Sequence, residues 1–346
     1  MPAYARLNRG RTALGSRTRR ILPLAAAALL LAGCNNATVR MGPDEQIGLR
    51  QRATELLLRA AQSELDVVCC NALEALADIA PQEGLAYFHA ALESESAMVR
   101  FAGCVALGEV RDTTSRGRIR RCLTDPDPRV RLGAAFTAYR LGKTNHAEVL
   151  VNALHDSPDE NLRADAAYLI GRLGEPQALK RLRYKAQDKR EKSQKVVIQV
   201  HAAMAMLGDR AALDQLMCYA QYDALSRVIA LQCLCDVGDA RSQDTLLYRL
   251  HAEDEYLEAK LIAARALGKI GSDAGYELAA KSTTYTADDR QDVMRVRSLA
   301  ALALGAIGDE RALPRLKRLA QPGQDARIQV AACYAIRQIL REPAAP

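Results

Sequence analysis

The sequence contains no tryptophan, and aromatic residues make up only 4% of its 346 residues. Single-stranded nucleic acids are bound largely by stacking on aromatic side chains, so this scarcity argues against that class of function. The alternation of apolar and polar residues that is typical of half-buried strands is absent, which argues against a β architecture. Gly-rich phosphate loops, a nucleophile elbow and the HExxH motif do not occur either. The sequence therefore carries none of these catalytic signatures.

Residues 1–33 differ in composition from the remainder and are set apart from the fold. They contain six arginines and no acidic residue, and end in an apolar run, Ile21–Ala32. This run is shorter than the roughly 20 apolar residues that a membrane-spanning helix needs. The residues LAGC at 31–34 resemble a bacterial lipobox, which implies cleavage before Cys34 and lipidation of that cysteine. The alternative is an ordinary secretory signal followed by a chance cysteine.

The residue after the cysteine is Asn35 rather than aspartate. In bacteria with two membranes, the resemblance to lipoproteins then implies an outer-membrane anchor, with the protein facing the periplasm. Residues 34–43 would form a lipidated polar tether that reaches about 30 Å when extended, and residues 44–346 remain for the folded domain. Without the six arginines of the signal, the net charge falls from +7 to +1. We therefore expect no nucleic-acid partner, which would need a strongly basic domain.

The dominant feature of the remaining chain is a repeat of about 32 residues, marked by one periodic aliphatic residue. The marker positions are Ile79, Val110, Leu141, Leu173, Leu207, Val237, Ile270, Ile307 and Ile339. A fixed period in this range indicates a solenoid, in which each unit covers the apolar face of the next. Because a solenoid presents a long surface, we expect binding to be its function.

Two further columns predict how each repeat folds. The residue after the marker is glycine in six of nine repeats, which predicts a left-handed residue at the end of a helix. A column of Asp and Ser fifteen residues before the glycine position predicts N-caps. Its members are Ser96, Asp127, Asp159, Ser193, Asp223 and Asp325. A second helix follows each glycine, so the unit is a helical hairpin; nine units fit, and a polar helix at residues 45–62 is expected to cap the N-terminal end.

The segments VRLGAA at residues 130–135 and VRSLAALALG at residues 296–305 resemble the short HEAT-like repeats of phycobilisome lyase subunits. The resemblance covers about 300 residues. It implies an all-α, right-handed α–α superhelix of about nine hairpins, with the second helix of each unit on the concave face. It implies little about chemistry, because fold does not fix function.

An enzymatic alternative comes from HEAT-like relatives. Deoxyhypusine hydroxylase is a di-iron oxygenase of this type that uses His-Glu pairs, whereas each of the five histidines here is followed by Ala or Asp. They are His89, His146, His155, His201 and His251. We therefore predict no metal, no cofactor and no catalytic residue. An enzyme-associated protein that binds a small molecule or a substrate protein, like the bilin lyases, stays open as the alternative.

The chain contains eight cysteines besides Cys34. Cys104 and Cys333 fall in one alanine-rich column of the repeat, and Cys233 falls in another. We therefore predict small buried residues at these positions, and no Cys-x-x-Cys pair supports a redox or zinc site.

A basic column occupies the fourth position of the second helix in most repeats. A cation near a helix N-terminus opposes the helix dipole and needs a compensating partner. One interpretation is a structural ladder, in which each cation pairs with an Asp cap such as Asp127 or Asp159. The other is a row of donors facing an acidic or extended protein partner. The column consists of Arg100, Arg131, Arg163, Arg227, Lys260 and Arg297.

The segment Lys180–Lys195 is strongly basic and coincides with one of the long repeat periods, so its distal part is predicted to be an enlarged loop. Such loops often lie on the binding face of a solenoid, and a basic surface near a bilayer suits anionic lipid or an acidic protein. A plain solvated loop is the alternative. The candidates for binding are Lys189, Arg190 and Lys192, and a second enlarged loop is predicted at Thr283–Asp292. The sequence thus favours a non-enzymatic, membrane-anchored scaffold whose protein partner is unknown.

Overall fold

The computed structural model describes residues 41–341, which form 18 α-helices and no β-strand. The helices make nine hairpins, each with an outer helix followed by an inner helix. The outer helices are α1 (Pro43–Ala60), α3 (Pro81–Ala91), α5 (Arg116–Cys122), α7 (Ala147–Asp156), α9 (Leu179–Ala186), α11 (Arg210–Tyr219), α13 (Gln243–His251), α15 (Tyr276–Ser282) and α17 (Leu313–Leu319). The inner helices are α2 (Asp66–Ile79), α4 (Ala97–Glu109), α6 (Pro128–Arg140), α8 (Glu160–Leu173), α10 (Gln194–Met206), α12 (Ala224–Val237), α14 (Leu257–Lys269), α16 (Arg290–Ile307) and α18 (Ala326–Ile339). The predicted all-α solenoid of helical hairpins is confirmed.

The predicted lipobox, Cys34 and most of the tether lie outside the described residues. The first helix of the described residues, α1, begins at Pro43. Between residues 41 and 341, no helix is both long enough and apolar enough to cross a bilayer.

The glycine column behaves as predicted. All six glycines adopt a left-handed conformation, with φ between 64° and 92°. They are Gly142, Gly174, Gly208, Gly238, Gly271 and Gly308. In the second repeat Arg111 takes the same conformation, with φ of 52°, although non-glycine residues rarely do so. The turn from inner helix to outer helix is therefore kept even where glycine is missing.

In the predicted cap column, the aspartates form helix caps and the serines do not. The carboxylates of Asp127, Asp159, Asp223 and Asp325 accept backbone N–H groups from the first turn of their inner helices. The two serines make no such bond. The Ser96 hydroxyl instead donates to the Asp66 carboxylate at 2.6 Å, which links two consecutive units. The prediction of side-chain caps was thus right for aspartate and wrong for serine.

Neighbouring inner helices pack directly against each other, and the closest approaches occur at glycines. A Cβ atom on Gly305 would lie 2.6 Å from the Cα atom of Ala335 and 2.5 Å from Oε1 of Gln338. A Cβ atom on Gly268 would lie 2.7 Å from the backbone nitrogen of Ile307. Small residues therefore set the spacing between the inner helices.

We expect Gly305→Ala to lower the free energy of unfolding by about 1–2 kcal/mol. The added methyl group forces α16 and α18 apart, and this overpacking outweighs the gain in helix propensity. Gly117→Ala in α5 is the matched control, because no atom lies within 4 Å of its added Cβ. That control should be neutral or stabilising by up to about 1 kcal/mol. Urea unfolding curves of the two variants would test this, and equal effects would contradict the packing argument.

The two ends of the solenoid meet, because α18 packs against both α1 and α2. The contacts are the Arg337 guanidinium donating to the Ile79 carbonyl at 2.6 Å, the Tyr334 hydroxyl donating to Asp78 at 2.7 Å, and Lys317 pairing with Glu45 at 2.9 Å. Helix α1 therefore has neighbours on both sides. The sequence predicted that this helix would cap an open N-terminal end, and it does not. The nine inner helices form a closed ring.

One predicted loop is shorter than expected. Thr283–Asp292 was predicted to be an enlarged loop, but α16 already begins at Arg290 and runs for 18 residues. Asp289 caps it by accepting the backbone N–H of Gln291. Part of the longest repeat period therefore extends an inner helix by about one turn.

Candidate functional site

The basic column lies between consecutive loops. Its arginines donate to carbonyl oxygens of the loop before their own inner helix, and several also bind an acidic residue from the loop of the next unit. The acidic partners are Asp125 for Arg100 at 2.9 Å, Glu191 for Arg163 at 2.8 Å, and Glu255 for Arg227 at 2.9 Å. Arg131 binds the carbonyls of Asp125 and Pro126, Arg297 binds Tyr285 and Gln324, and Lys260 has no side-chain partner within residues 41–341. Most of the column therefore has the geometry of a ladder that ties one unit to the next.

The acidic partners in this ladder are not the N-cap residues Asp127 and Asp159, which the sequence had suggested. The carboxylates of Asp127 and Asp159 cap their own helices. The pairing residues Asp125, Glu191 and Glu255 lie one or two positions before the N-cap of the following inner helix. Arg163 and Arg227 thus reach forward to the next unit, because the caps beside them, Asp159 and Asp223, are already engaged with backbone N–H groups. The cap position beside Arg100 is the uncharged Ser96.

Glu191 is one of two fully enclosed carboxylates of the ladder, together with Glu255. Its side chain is 3% exposed and binds both Arg163 and Lys185, each at 2.8 Å. Burial alone would raise the pKa of Glu191, but the hydrogen bonds from the two cations outweigh it and lower the pKa to about 2. Lys185 therefore belongs to a buried charge cluster, although the sequence placed it in an exposed basic segment.

The other residues of that segment do reach solvent. Helix α9 ends at Ala186 and α10 begins at Gln194, so the predicted enlarged loop is confirmed. Within it, Arg190 is 84% exposed and pairs with Asp188 at 2.9 Å. Lys189 is exposed as well, and Lys192 donates to the Lys189 carbonyl. This loop is an accessible basic surface on the rim of the ring.

A cavity of about 420 Å³ lies inside the ring, lined by inner helices from opposite sides. Six lining residues share one position in the repeat, five residues before the aliphatic marker. They are Glu74, Tyr168, Gln232, Arg265, Leu302 and Tyr334. We call this cavity the lumen. Five of the six are polar, and only the closure of the ring shows that they face a shared space.

Four charged side chains of residues 41–341 line the lumen, and two of them have a partner. Arg327 pairs with Asp325 at 2.8 Å, and Asp236 lies 3.9 Å from Lys269. Glu74 and Arg265 differ from these groups. Among residues 41–341, neither side chain has a hydrogen-bond partner or an oppositely charged group within 4 Å. The lumen therefore holds one unpaired carboxylate and one unpaired guanidinium.

The walls of the lumen shift the pKa of the groups that they surround. Glu74 is exposed, but the facing helices reduce the solvation of its carboxylate and raise its pKa, against the opposing influence of Arg265. Desolvation also raises the pKa of Asp236, despite the nearby Lys269. Burial raises the pKa of Tyr168 to about 12. A ligand with complementary charges would replace the solvation that these groups lack.

The cysteines and potential metal ligands show no comparable site. Cys104, Cys233 and Cys333 are buried as predicted, while Cys218 is exposed. In the part of the chain that the structure describes, no group of three or more His, Cys, Asp or Glu side chains is arranged to hold a metal ion.

The repeats match a known family. The HEAT repeats model matches residues 53–140, 88–165 and 147–229, which together cover about half of the chain. The chain belongs to the HEAT-repeat family. A PBS lyase HEAT-like repeat also matches residues 296–321 of this HEAT-repeat protein. No curated protein matches its sequence at a significant level.

Several solved structures are similar to this HEAT-repeat protein. The complex of CpcE and CpcF of phycocyanin lyase from Nostoc sp. PCC7120 has 19% identity and a TM-score of 0.41, over 70% of this chain and 93% of that one. Human deoxyhypusine hydroxylase in complex with glycerol has 16% identity and a TM-score of 0.37, over 77% and 99%. Escherichia coli YibA has 14% identity and a TM-score of 0.35, over 88% and 99%.

Proposed function

We propose that this HEAT-repeat protein is a non-catalytic binding scaffold of the bacterial envelope, held at the membrane by a lipidated Cys34. The LAGC sequence at residues 31–34 and the arginine-rich segment before it support the anchor. Asn35 supports an outer-membrane location with the ring facing the periplasm. Because α1 begins at Pro43, the tether reaches only about 30 Å and keeps the ring close to the bilayer.

The binding site in this proposal is the lumen. Most arginines of the basic column already hold consecutive loops together, which makes them poor candidates for contact with a partner. Glu74 and Arg265 have no such role among residues 41–341, and they line a cavity of about 420 Å³. That volume lies within the usual range for ligand sites, about 300–1,000 Å³. The unpaired charges of the lumen are the observation that carries this proposal.

The basic loop between α9 and α10 supports a second contact of the scaffold, with an acidic protein. Lys189 and Arg190 are exposed, and the ion pair of Arg190 with Asp188 lies at the surface, where such pairs contribute little and exchange readily. An acidic protein docked at this rim would be held close to the lumen and to the membrane.

An enzyme-associated role is the second candidate. In it, the ring would present a small molecule or a substrate protein to an enzyme. The observation in its favour is that two carboxyl groups with raised pKa, Glu74 and Asp236, share a cavity with Tyr168. Shifted pKa values are common at functional sites, although ion-pair networks also produce them.

In-cell photocrosslinking tests the proposed binding site. A photoreactive phenylalanine analogue would replace Asn71 in the lumen, Lys189 on the basic loop or Tyr248 on the outer helix α13. We expect a covalent adduct from Asn71, seen by gel shift or by intact mass, and none from Tyr248. Adducts that form only at Lys189 would move the binding site to the loop. Equal adducts at all three positions would contradict a specific site.

Fractionation of the same cells tests the anchor. We expect the native protein in the membrane fraction and the Cys34→Ser form in the soluble periplasmic fraction. Cys218→Ser is the matched control, because it removes an exposed cysteine of the folded domain. A Cys34→Ser protein that stays in the membrane fraction would contradict anchoring through this residue.

A further inference from the structure

The two unpaired charges of the lumen lie on separate walls. Glu74 is on α2 and Arg265 is on α14, and the inner helices α16 and α18 lie between them in the ring. They are too far apart to form an ion pair, yet Arg265 is the strongest influence that opposes the raised pKa of Glu74. Both groups therefore face the same space from a distance.

The wall between the two charges is apolar in part. Leu302 and Met294 on α16 and Val330 and Ala331 on α18 line it, together with the polar side chains of Arg327 and Tyr334. The hydroxyl oxygen of Ser298 is buried in this wall and has no hydrogen-bond partner within residues 41–341. The site thus offers an acidic end, an apolar floor with one free polar atom, and a basic end.

We propose that the lumen binds a small zwitterion of the size of a di- or tripeptide, with its ammonium group on Glu74 and its carboxylate on Arg265. This inference rests on the proposed binding role of the lumen and adds the class of ligand. A guanidinium binds a carboxylate through two parallel hydrogen bonds. Each residue of an extended peptide spans at most about 3.6 Å, so a short peptide bridges charges that are too distant to pair directly.

Ligands with a single charge fit the site less well. A simple cation would pair with Glu74 and leave Arg265 without a partner, and a simple anion would do the reverse. Each would leave one of the two charged groups without a partner. A zwitterion satisfies both ends at once, and the apolar wall contributes through burial of its side chain.

Calorimetric titration of the full-length protein in detergent tests this ligand class. The probes are the tripeptides Ala-X-Ala, with X as Leu, Lys or Glu, together with the N-acetylated and C-amidated forms of each. We expect at least one free tripeptide to bind at a single site, and blocking either end to weaken it about 10- to 100-fold, the loss typical of a hydrogen-bonded charge pair.

Variants of the two charged residues assign each end of the ligand. Glu74→Gln should weaken the free tripeptide about 10- to 100-fold but bind the N-acetylated form as well as the native protein does. Arg265→Gln should show the same pattern for the C-amidated form. Glu83→Gln and Arg118→Gln, which change exposed residues of the outer helices α3 and α5, are the matched controls and should leave affinity unchanged.

Two outcomes would overturn the proposal. One is that no tripeptide of the panel binds, and the other is that blocking the ends has no effect on binding. If Asn71 still gives an adduct in cells in either case, the lumen remains a binding site and only the ligand class is wrong. If Asn71 gives no adduct, the proposed function itself fails.

Discussion

Arg337→Ala is expected to lower the free energy of unfolding by about 3 kcal/mol and to open the ring. The Arg337 side chain is buried between α18 and α2, and its guanidinium donates to the Ile79 carbonyl at 2.6 Å. Truncation leaves that carbonyl without its donor, which costs about 1–3 kcal/mol. It also removes the packed stem of the side chain. Urea unfolding measures the first effect, and an increase in maximum dimension by small-angle scattering measures the second.

Arg341→Ala is the matched control for this seam. Arg341 reaches the same turn, but it is 62% exposed; its guanidinium donates to the Asp78 carbonyl at 3.1 Å and lies 3.6 Å from the Asp78 carboxylate. An exposed ion pair of this kind contributes about 0–1 kcal/mol, so the control should unfold almost like the native protein and keep its dimensions. If both variants behave alike, or if Arg337→Ala leaves the scattering profile unchanged, the closure does not depend on Arg337.

The repeat itself was predictable because its signals are local. The marker residues, the glycines such as Gly142 and the caps such as Asp127 each specify the conformation of a few neighbouring residues, and the helical hairpins follow from them. Ring closure is not local. It depends on a small rotation from each unit to the next, added over nine units, and no single position in the repeat encodes that angle.

One position of the repeat holds a different kind of residue where the ring closes. Two residues before the marker, Gly171, Gly268 and Gly305 allow the next inner helix to approach closely. In the last repeat the same position is Arg337, which spans the gap to the first repeat. Tyr139 occupies the same position in the third repeat, so a large residue alone does not mark the seam. The role of Arg337 becomes clear only when α2 is known to be the next neighbour of α18.

The lumen could not be predicted from the sequence either, because it exists only when the ring is closed. In the lumen column, Glu74 lies in the first repeat and Gln232 and Arg265 lie in the sixth and seventh, and a periodic alignment treats each of them as an isolated exception. The basic column was more conspicuous because its residues are alike, and it was therefore considered as a binding row. Most of its members look alike because they reach the loop of the next unit, as Arg100, Arg163, Arg227 and Arg297 do.

Glu191→Gln is expected to lower the free energy of unfolding by about 3–5 kcal/mol at pH 7. The substitution keeps the shape of the side chain but leaves Lys185, which is 4% exposed, and Arg163 without their shared counter-charge. Removal of one partner from a buried ion pair typically has this cost. Asp188→Asn is the matched control in the same loop, because the pair of Asp188 with Arg190 is at the surface, and we expect little change from it.

The free energy of unfolding of the native protein should depend on pH through the ionisation of Glu191. The pKa of Glu191 is about 2 in the folded state, below its ordinary value of 4.5. A lowered pKa stabilises the folded state above pH 4.5, and that contribution, about 3 kcal/mol, is lost as the pH falls from 4.5 towards 2. The Glu191→Gln variant lacks this component, so its stability should fall less steeply over that interval.

Adding Lys185→Met to the variant should restore part of the lost stability, because it removes an unpaired buried charge. If Glu191→Gln unfolds like Asp188→Asn, the ladder contributes little to stability and Arg163 is available to a partner after all.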